Sequence, residues 1–308
     1  MAGRSGAALR LMPWVFVLIW STGFVVARFA MPHAPPFRFL ILRYVLSIAV
    51  FAAWVALARA RWPQGARQLG HLAVVGVLVH AGYLGGVWSA VRGGIGAGTV
   101  ALLVGLQPLL TALWMAGPGT VAGSTGAADA PAGVTPRQWA GLALGLAGLV
   151  LVVWRKLGGA ELTASNFGLA MLALLSITVG TLYQKRHVGP CDVRTASLVQ
   201  LVAALAVTLP LAWFERDPVV LHPQLVGALA WSVLALTLGG SSLLYLLIQR
   251  GAATEVTSLM YLVPPCTAAL AWLLFDEAFT LPMLAGLALT AAGVWLVTTQ
   301  PQASERAL

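Results

Sequence analysis

Apolar residues along this chain come in runs near 20 residues long, and short segments rich in glycine, proline and basic residues separate them. A helix of about 20 residues rises 1.5 Å per residue and crosses the ~30 Å hydrocarbon core of a bilayer. Scanned with a window of about 19 residues, the pattern predicts helices over 12–30, 38–58, 70–90, 95–116, 137–154, 166–185, 195–214, 224–249, 253–275 and 281–299. Turn formers mark the connections, among them Pro32, Pro35-Pro36, Gly93-Gly94 and Gly158-Gly159. The longest connection, GPGTVAGSTGAADAPAGVTP over 117–136, has no core-forming pattern and reads as a flexible linker.

Composition agrees with a lipid solvent. Of 308 residues, 59% are hydrophobic and only 9% charged, against about 25% charged in soluble domains. Net charge is +9, yet the basic residues stand as ones and twos between apolar runs. They form no stripe or patch of the kind that binds nucleic acid. Their role is topological. With the N-terminus inside, the cytoplasmic side holds Arg4, Arg10, Arg59, Arg61, Arg67, Arg137, Lys185, Arg186, Arg194, Arg250 and Arg306. The outer side holds Arg28, Arg38, Arg92, Arg155, Lys156 and Arg216, and Arg43 lies within a span. The excess favours both termini in the cytoplasm, and the even helix count is consistent with that. The N-terminal stretch resembles a signal peptide, but the repeat described next needs it as a helix, so cleavage is not expected. Cys191 falls in a loop and Cys266 in a helix, with no metal-ligand spacing around either, and both read as inert thiols.

The two halves repeat one another. VALLVGLQPLLTALW from Val100 aligns with VTSLMYLVPPCTAALAW from Val256 at a shift of 156, superposing Pro108 on Pro264 and Thr111 on Thr267. GLALGLAGLVLVV from Gly141 aligns with GLALTAAGVWLVT from Gly286 at 145, the difference being the long linker. Upstream, Gly23 pairs with Gly180, Arg28 with Lys185 and Arg43 with Gln200 at 157, and Arg92-Gly93 with Arg250-Gly251 at 158. The copies span 12–154 and 166–299. Each holds five helices, and an odd number forces the second copy to enter the membrane from the opposite side. Inverted repeats meeting at the midplane recur in secondary transporters.

IWSTGFVVARFAMPHAPPFRFLILRY (19–44) and RGAATEVTSLMYLVPPCTAALAWLLFDEAFTLPMLAGLALTAAGVWLV (250–297) resemble the EamA-type branch of the drug/metabolite transporter superfamily. The resemblance covers roughly residues 13–299. It implies an all-α integral membrane fold of ten helices with cytoplasmic termini, in which helices one to four and six to nine surround a central cavity. Helices five and ten would be peripheral, and their small residues suit close packing, including a homodimer through that pair. One departure stands out. The second half keeps Asp276-Glu277 after its fourth helix, whereas the first half has Met115-Ala116-Gly117-Pro118 there.

Ionisable groups inside hydrocarbon are costly and therefore candidate functional residues. Arg43, early in the second span, reads either as an anchor for an anionic group or as a snorkelling arginine. His80, mid-span in the third, reads either as a proton or substrate ligand or as a neutral histidine bonded to a carbonyl. No Asp or Glu lies deep in a span, since Glu255 only starts the ninth helix, so proton coupling lacks support and facilitated or exchange transport stays open. Pro108 and Pro264-Pro265 break equivalent helices, and such breaks often line a substrate site or form a packing kink. Trp20, Ser21, Thr22, Tyr83, Trp88, Gln107, Thr181, Gln184, Tyr245 and Tyr261 supply polar or aromatic handles for a mostly apolar pocket. Gly23, Gly93 and Gly251 join the prolines as hinge candidates.

No nucleotide loop, GxSxG or HExxH occurs, and no cofactor or metal is called for. The reading is a secondary transporter exporting small organic metabolites, such as amino acids or drug-like compounds, across the inner membrane by alternating access. Its partners are the small-molecule substrate and the bilayer. The rivals are a membrane-embedded enzyme acting on lipid-linked substrates and a non-transporting scaffold.

Overall fold

Long unbroken apolar runs can satisfy their backbone groups in lipid only as helices or closed barrels, and these runs fold as helices. The computed structural model describes residues 2–116, 136–154, 162–240, 243, 262–277 and 280–298, and among them there is no β-strand. Tyr245, Tyr261, Gly251, Glu255 and the 117–135 part of the linker lie outside the described residues.

In chain order the helices are α1 (Ala2–Ala30), α2 (Pro36–Leu57), α3 (Ala66–Arg92), α4a (Ala97–Val104), α4b (Gln107–Ala116) and α5 (Pro136–Trp154). There follow α6 (Ala164–His187), α7 (Val193–Ala212), α8 (Pro223–Gly240), α9 (Val263–Phe275) and α10 (Leu281–Thr298). Five of these, α2, α3, α6, α7 and α8, are long and apolar enough to cross a membrane, and the apolar stretches of α1, α4, α5, α9 and α10 are shorter. Helices occupy each predicted element within the described residues, the later part of the eighth (224–249) and the first part of the ninth (253–275) lying outside them; three differences stand out. Helix α1 begins ten residues earlier than predicted. The fourth predicted helix is broken at Gly105-Leu106. Helices α3 and α8 each contain a π-helical stretch, Val77–Leu84 and Ser232–Gly240.

Local chemistry explains the ends. Pro36 opens α2 at the first turn, where its missing N–H costs nothing. Thr163 and Asn166 form a reciprocal capping box on α6. Asp192 caps α7 by accepting from the Arg194 backbone N–H at 3.0 Å. The Arg194 guanidinium also binds it at 2.6 Å, and these hydrogen bonds hold the Asp192 carboxyl below its ordinary range.

The halves interlock. Helix α2 packs on α7, α3 on α6 and α7, α1 on α8 and α9, α4a on α9, and α5 on α10. At α3–α6 a β-carbon on Gly86 would stand 2.7 Å from the Leu169 carbonyl oxygen, a separation only glycine permits. At α5–α10 the small residues face each other inside one chain: a β-carbon on Gly148 would lie 2.6 Å from the Gly286 carbonyl oxygen. A contact between two chains through these helices would therefore use their outer faces, where Trp139, Leu146, Val150 and Trp295 are exposed. Large apolar side chains also cover the outer faces of α2 (Leu42, Val45, Leu46) and α7 (Val202, Val207, Leu209). In water such a surface would aggregate; in a bilayer it is the solvated face.

Candidate functional site

The π-helical stretches place the polar layer. A π turn inserts one residue into a helix and recurs at functional sites, and these two occur at corresponding positions of the two halves. Each receives a polar side chain from the opposite half. Arg43 on α2 donates through Nε (3.3 Å) and Nη2 (3.1 Å) to Thr237 Oγ1 on α8, and Thr237 donates to the Ser232 carbonyl at 2.8 Å. On the other side, Gln200 on α7 neighbours His80 on α3. These are one relationship written twice: the offset 157 carries Arg43 to Gln200 and His80 to Thr237.

Further polar contacts join the helices. The Tyr44 hydroxyl donates to the His80 carbonyl at 2.8 Å, with the two rings edge-on. Arg43 lies within electrostatic reach of both Tyr83 and His80. Ser21 donates to Val17 O at 2.7 Å and accepts, through its carbonyl, from Thr267 Oγ1 at 3.1 Å, joining α1 to α9. Thr178 repeats the first of these bonds on α6, to Leu174 O, again at offset 157. Gln107 Nε2 donates to Thr181 Oγ1 at 3.2 Å beside the α4 break.

That break and the α9 start coincide under the repeat. Gln107 opens α4b and Val263 opens α9, 156 residues apart, so Pro108 and Pro264-Pro265 occupy the first turn of a helix in each half. There proline removes an N–H that has no helical partner anyway.

The remaining candidates are scattered. Trp88 is 1% exposed and stacks on Phe39 at 4.4 Å, within the core. Gln184 is exposed near the end of α6. Trp20 is half-buried against Phe16, and Thr22 accepts from Trp231 Nε1 at 2.9 Å on the exposed side of α1. A β-carbon on Gly23 would meet Leu236 at an ordinary van der Waals distance, so the position does not require glycine for space. Three residues of the layer, Thr237, Gln200 and Tyr44, were not among the predicted site residues. Carrying Arg43 and His80 through the repeat offset would have found the first two.

Acids gather at one end of the bundle. Glu215, in the α7–α8 connection, accepts from the Phe37 and Arg38 backbone N–H groups at 2.8 and 2.9 Å, capping α2. Asp217 accepts from Arg92 at 2.9 Å, and Arg92 also binds the Met31 carbonyl. Glu277 pairs with Arg28 at 3.0 Å and accepts from the Ala97 N–H at 3.0 Å, at the start of α4a. His33 and His222 stack at 4.1 Å in the same region. Arg28, Arg38 and Arg92, all assigned to one face by the sequence, meet there. Among the described residues no group of His, Cys, Asp and Glu could hold a metal ion.

Comparison with known proteins gives one consistent result. The EamA-like transporter family matches residues 11–117 and 166–299. A probable amino-acid metabolite efflux pump of Salmonella typhimurium is 24% identical over 290 residues, covering 91% of each chain. Its Escherichia coli namesake is 23% identical with the same coverage, and an uncharacterized transporter of Archaeoglobus fulgidus is 25% identical over 92% of this chain and 95% of that one. A solved crystal structure shares the fold, with TM-score 0.63 at 19% identity over 94% of this chain and 96% of that chain.

Proposed function

The chain belongs to the EamA-like transporter family, and from that premise we propose that it is a secondary transporter exporting small amino-acid-like metabolites by alternating access. It is a multi-pass membrane protein. In this reading the helices form ten spans in two inverted five-helix repeats, with both termini cytoplasmic and the chain in the inner membrane. The observation that carries the reading is the Arg43–Thr237 contact between opposite repeats, with Gln200 and His80 at the equivalent places one offset of 157 away. Contacts that join opposite repeats at equivalent places can exchange roles when the repeats exchange conformations, which is what alternating access requires. The names of the bacterial relatives support amino-acid metabolites as cargo.

Arg43, His80 and Tyr83 line the substrate path in this reading, with Gln107 at its α4 edge and Trp20 and Thr22 toward α1. Arg43 binds the substrate carboxylate. Purified protein in liposomes preloaded with unlabelled amino acids should accumulate labelled amino acid by counterflow, and Arg43→Gln should abolish it while folded yield is kept. A folded wild-type sample that exchanges none of a broad amino-acid and metabolite panel sinks the proposal.

A further inference from the structure

Arg43 is 8% exposed, and among the described residues its hydrogen-bond partner is one neutral oxygen, Thr237 Oγ1. A buried cation normally has a carboxylate or several strong acceptors around it, because desolvation is costly. Here two N–H groups share one hydroxyl at 3.1 and 3.3 Å, longer than the roughly 2.7–2.9 Å of good charge-assisted bonds. The hydroxyl is itself tethered: its proton goes to the Ser232 carbonyl at 2.8 Å, so only its lone pairs face the guanidinium. Thr237 is 6% exposed, and it sits in the π-helical stretch of α8, whose irregular backbone fixes that tether.

The equivalent position of the other half holds an imidazole and an amide, His80 and Gln200, in place of a guanidinium and a hydroxyl. Among the described residues the polar layer therefore carries its guanidinium on one side only. A neutral hydroxyl holds that charge in place and yields to any better acceptor.

We propose that Thr237 is the resting partner of Arg43, displaced by the carboxylate of an incoming substrate, and that this exchange selects carboxylate-bearing substrates over their uncharged amides. Thr237 is thus a positioning and specificity residue. The inference rests on the reading of the polar layer as the substrate path. A planar carboxylate can take Nε and Nη2 together, whereas the hydroxyl offers both a single atom. An amide carbonyl competes with the hydroxyl on equal terms and gains nothing.

The sign of one substitution tests this. Removing the resting partner should lower the stability of the empty protein and tighten carboxylate binding, because nothing is left to displace. The probes are the twenty common amino acids and their carboxamides, titrated against protein in nanodiscs with thermal stability as the readout. Wild type should be stabilised by one or more acids and by none of the matching amides. Thr237→Val should melt lower when empty yet bind those acids about three- to tenfold tighter, the equivalent of one neutral hydrogen bond. Thr237→Ser, which restores the hydroxyl, should stay within about twofold of wild type. If Thr237→Val yields no folded protein, Thr237→Cys takes its place with the same required sign.

Amides that stabilise as well as acids overturn the proposal, and so does tighter binding that fails to appear. Counterflow with the same compounds separates the two claims. Exchange of amides or cationic compounds without acid selectivity leaves the transport reading standing and removes this one. No exchange and no stabilisation remove both.

Discussion

Gly105 stands directly against Pro264: a β-carbon on the glycine would lie 2.8 Å from the proline Cγ. The break in α4 therefore abuts the described start of α9. Gly105→Val should cost about 1–3 kcal/mol through overpacking, read as a lowered melting temperature in detergent. Pro264→Ala in the same chain should recover part of that loss by removing the ring. Pro108→Ala and Pro264→Ala alone should change stability by less than about 1 kcal/mol, since both prolines occupy first-turn positions. Their effect should fall on turnover instead. Equal counterflow rates in wild type and both variants would remove the breaks from the transport cycle.

Glu277 joins three elements at once, through Arg28 on α1, the N–H of Ala97 on α4a, and its own place at the end of α9. Its side chain is 13% exposed and that of Arg28 36%, so the ion pair is partly screened and contributes about 1 kcal/mol or less. The carboxylate at a helix start adds about 0.3–1 kcal/mol more. Glu277→Gln should therefore destabilise by about 1–2 kcal/mol. Arg28→Gln should cost less, because the helix-start bond survives. A thermal double-mutant cycle checks this, and a coupling near zero between the two positions means the pair contributes nothing.

Asp192 gives the acid limb of stability a defined contributor. The Arg194 side chain holds its carboxyl below the ordinary value in the folded state. Its contribution is thus complete above the unfolded value, about pH 3.9, and fades as pH falls through the lower folded value. Asp192→Ala should cost about 1 kcal/mol at neutral pH as a lost N-cap. The gap between wild type and variant, followed by thermal melts from pH 7 down to pH 3, should narrow only at the acid end. A constant gap across that range means the charge of the cap is irrelevant.

Much of this architecture was legible in the residues because the bilayer imposes a simple rule. A run near 20 apolar residues in lipid reads as a helix, so the helical elements could be placed from spacing alone. Pairing between halves was partly legible, since one offset aligned Arg43 with Gln200. What spacing could not reveal was the π-helical register of Val77–Leu84 and Ser232–Gly240. An inserted residue changes which side chains share a face without changing composition, and it brings Thr237 to Arg43. Trp88 illustrates the opposite difficulty. Aromatic character fits a cavity wall or a core equally, and only packing on Phe39 separates them. The glycine-rich α5 and α10 likewise promised a close contact, but periodicity could not say whether its partner lay in the same chain.

Cys191 offers a direct check of the proposed orientation. It lies between α6 and α7, a connection that cytoplasmic termini place inside, and it is partly exposed. With Cys266 replaced by alanine, Cys191 is the sole thiol of the chain. A membrane-impermeant maleimide should then label inverted vesicles and spare right-side-out ones. The reaction should also be slow at neutral pH. Burial pushes this thiol up from its ordinary value, so the reactive thiolate is scarcer than in a free cysteine and labelling should accelerate as pH rises past the usual thiol range. Labelling of right-side-out vesicles reverses the topology. Labelling in inverted vesicles that is already fast at neutral pH keeps the topology but rejects the shielded setting of the thiol.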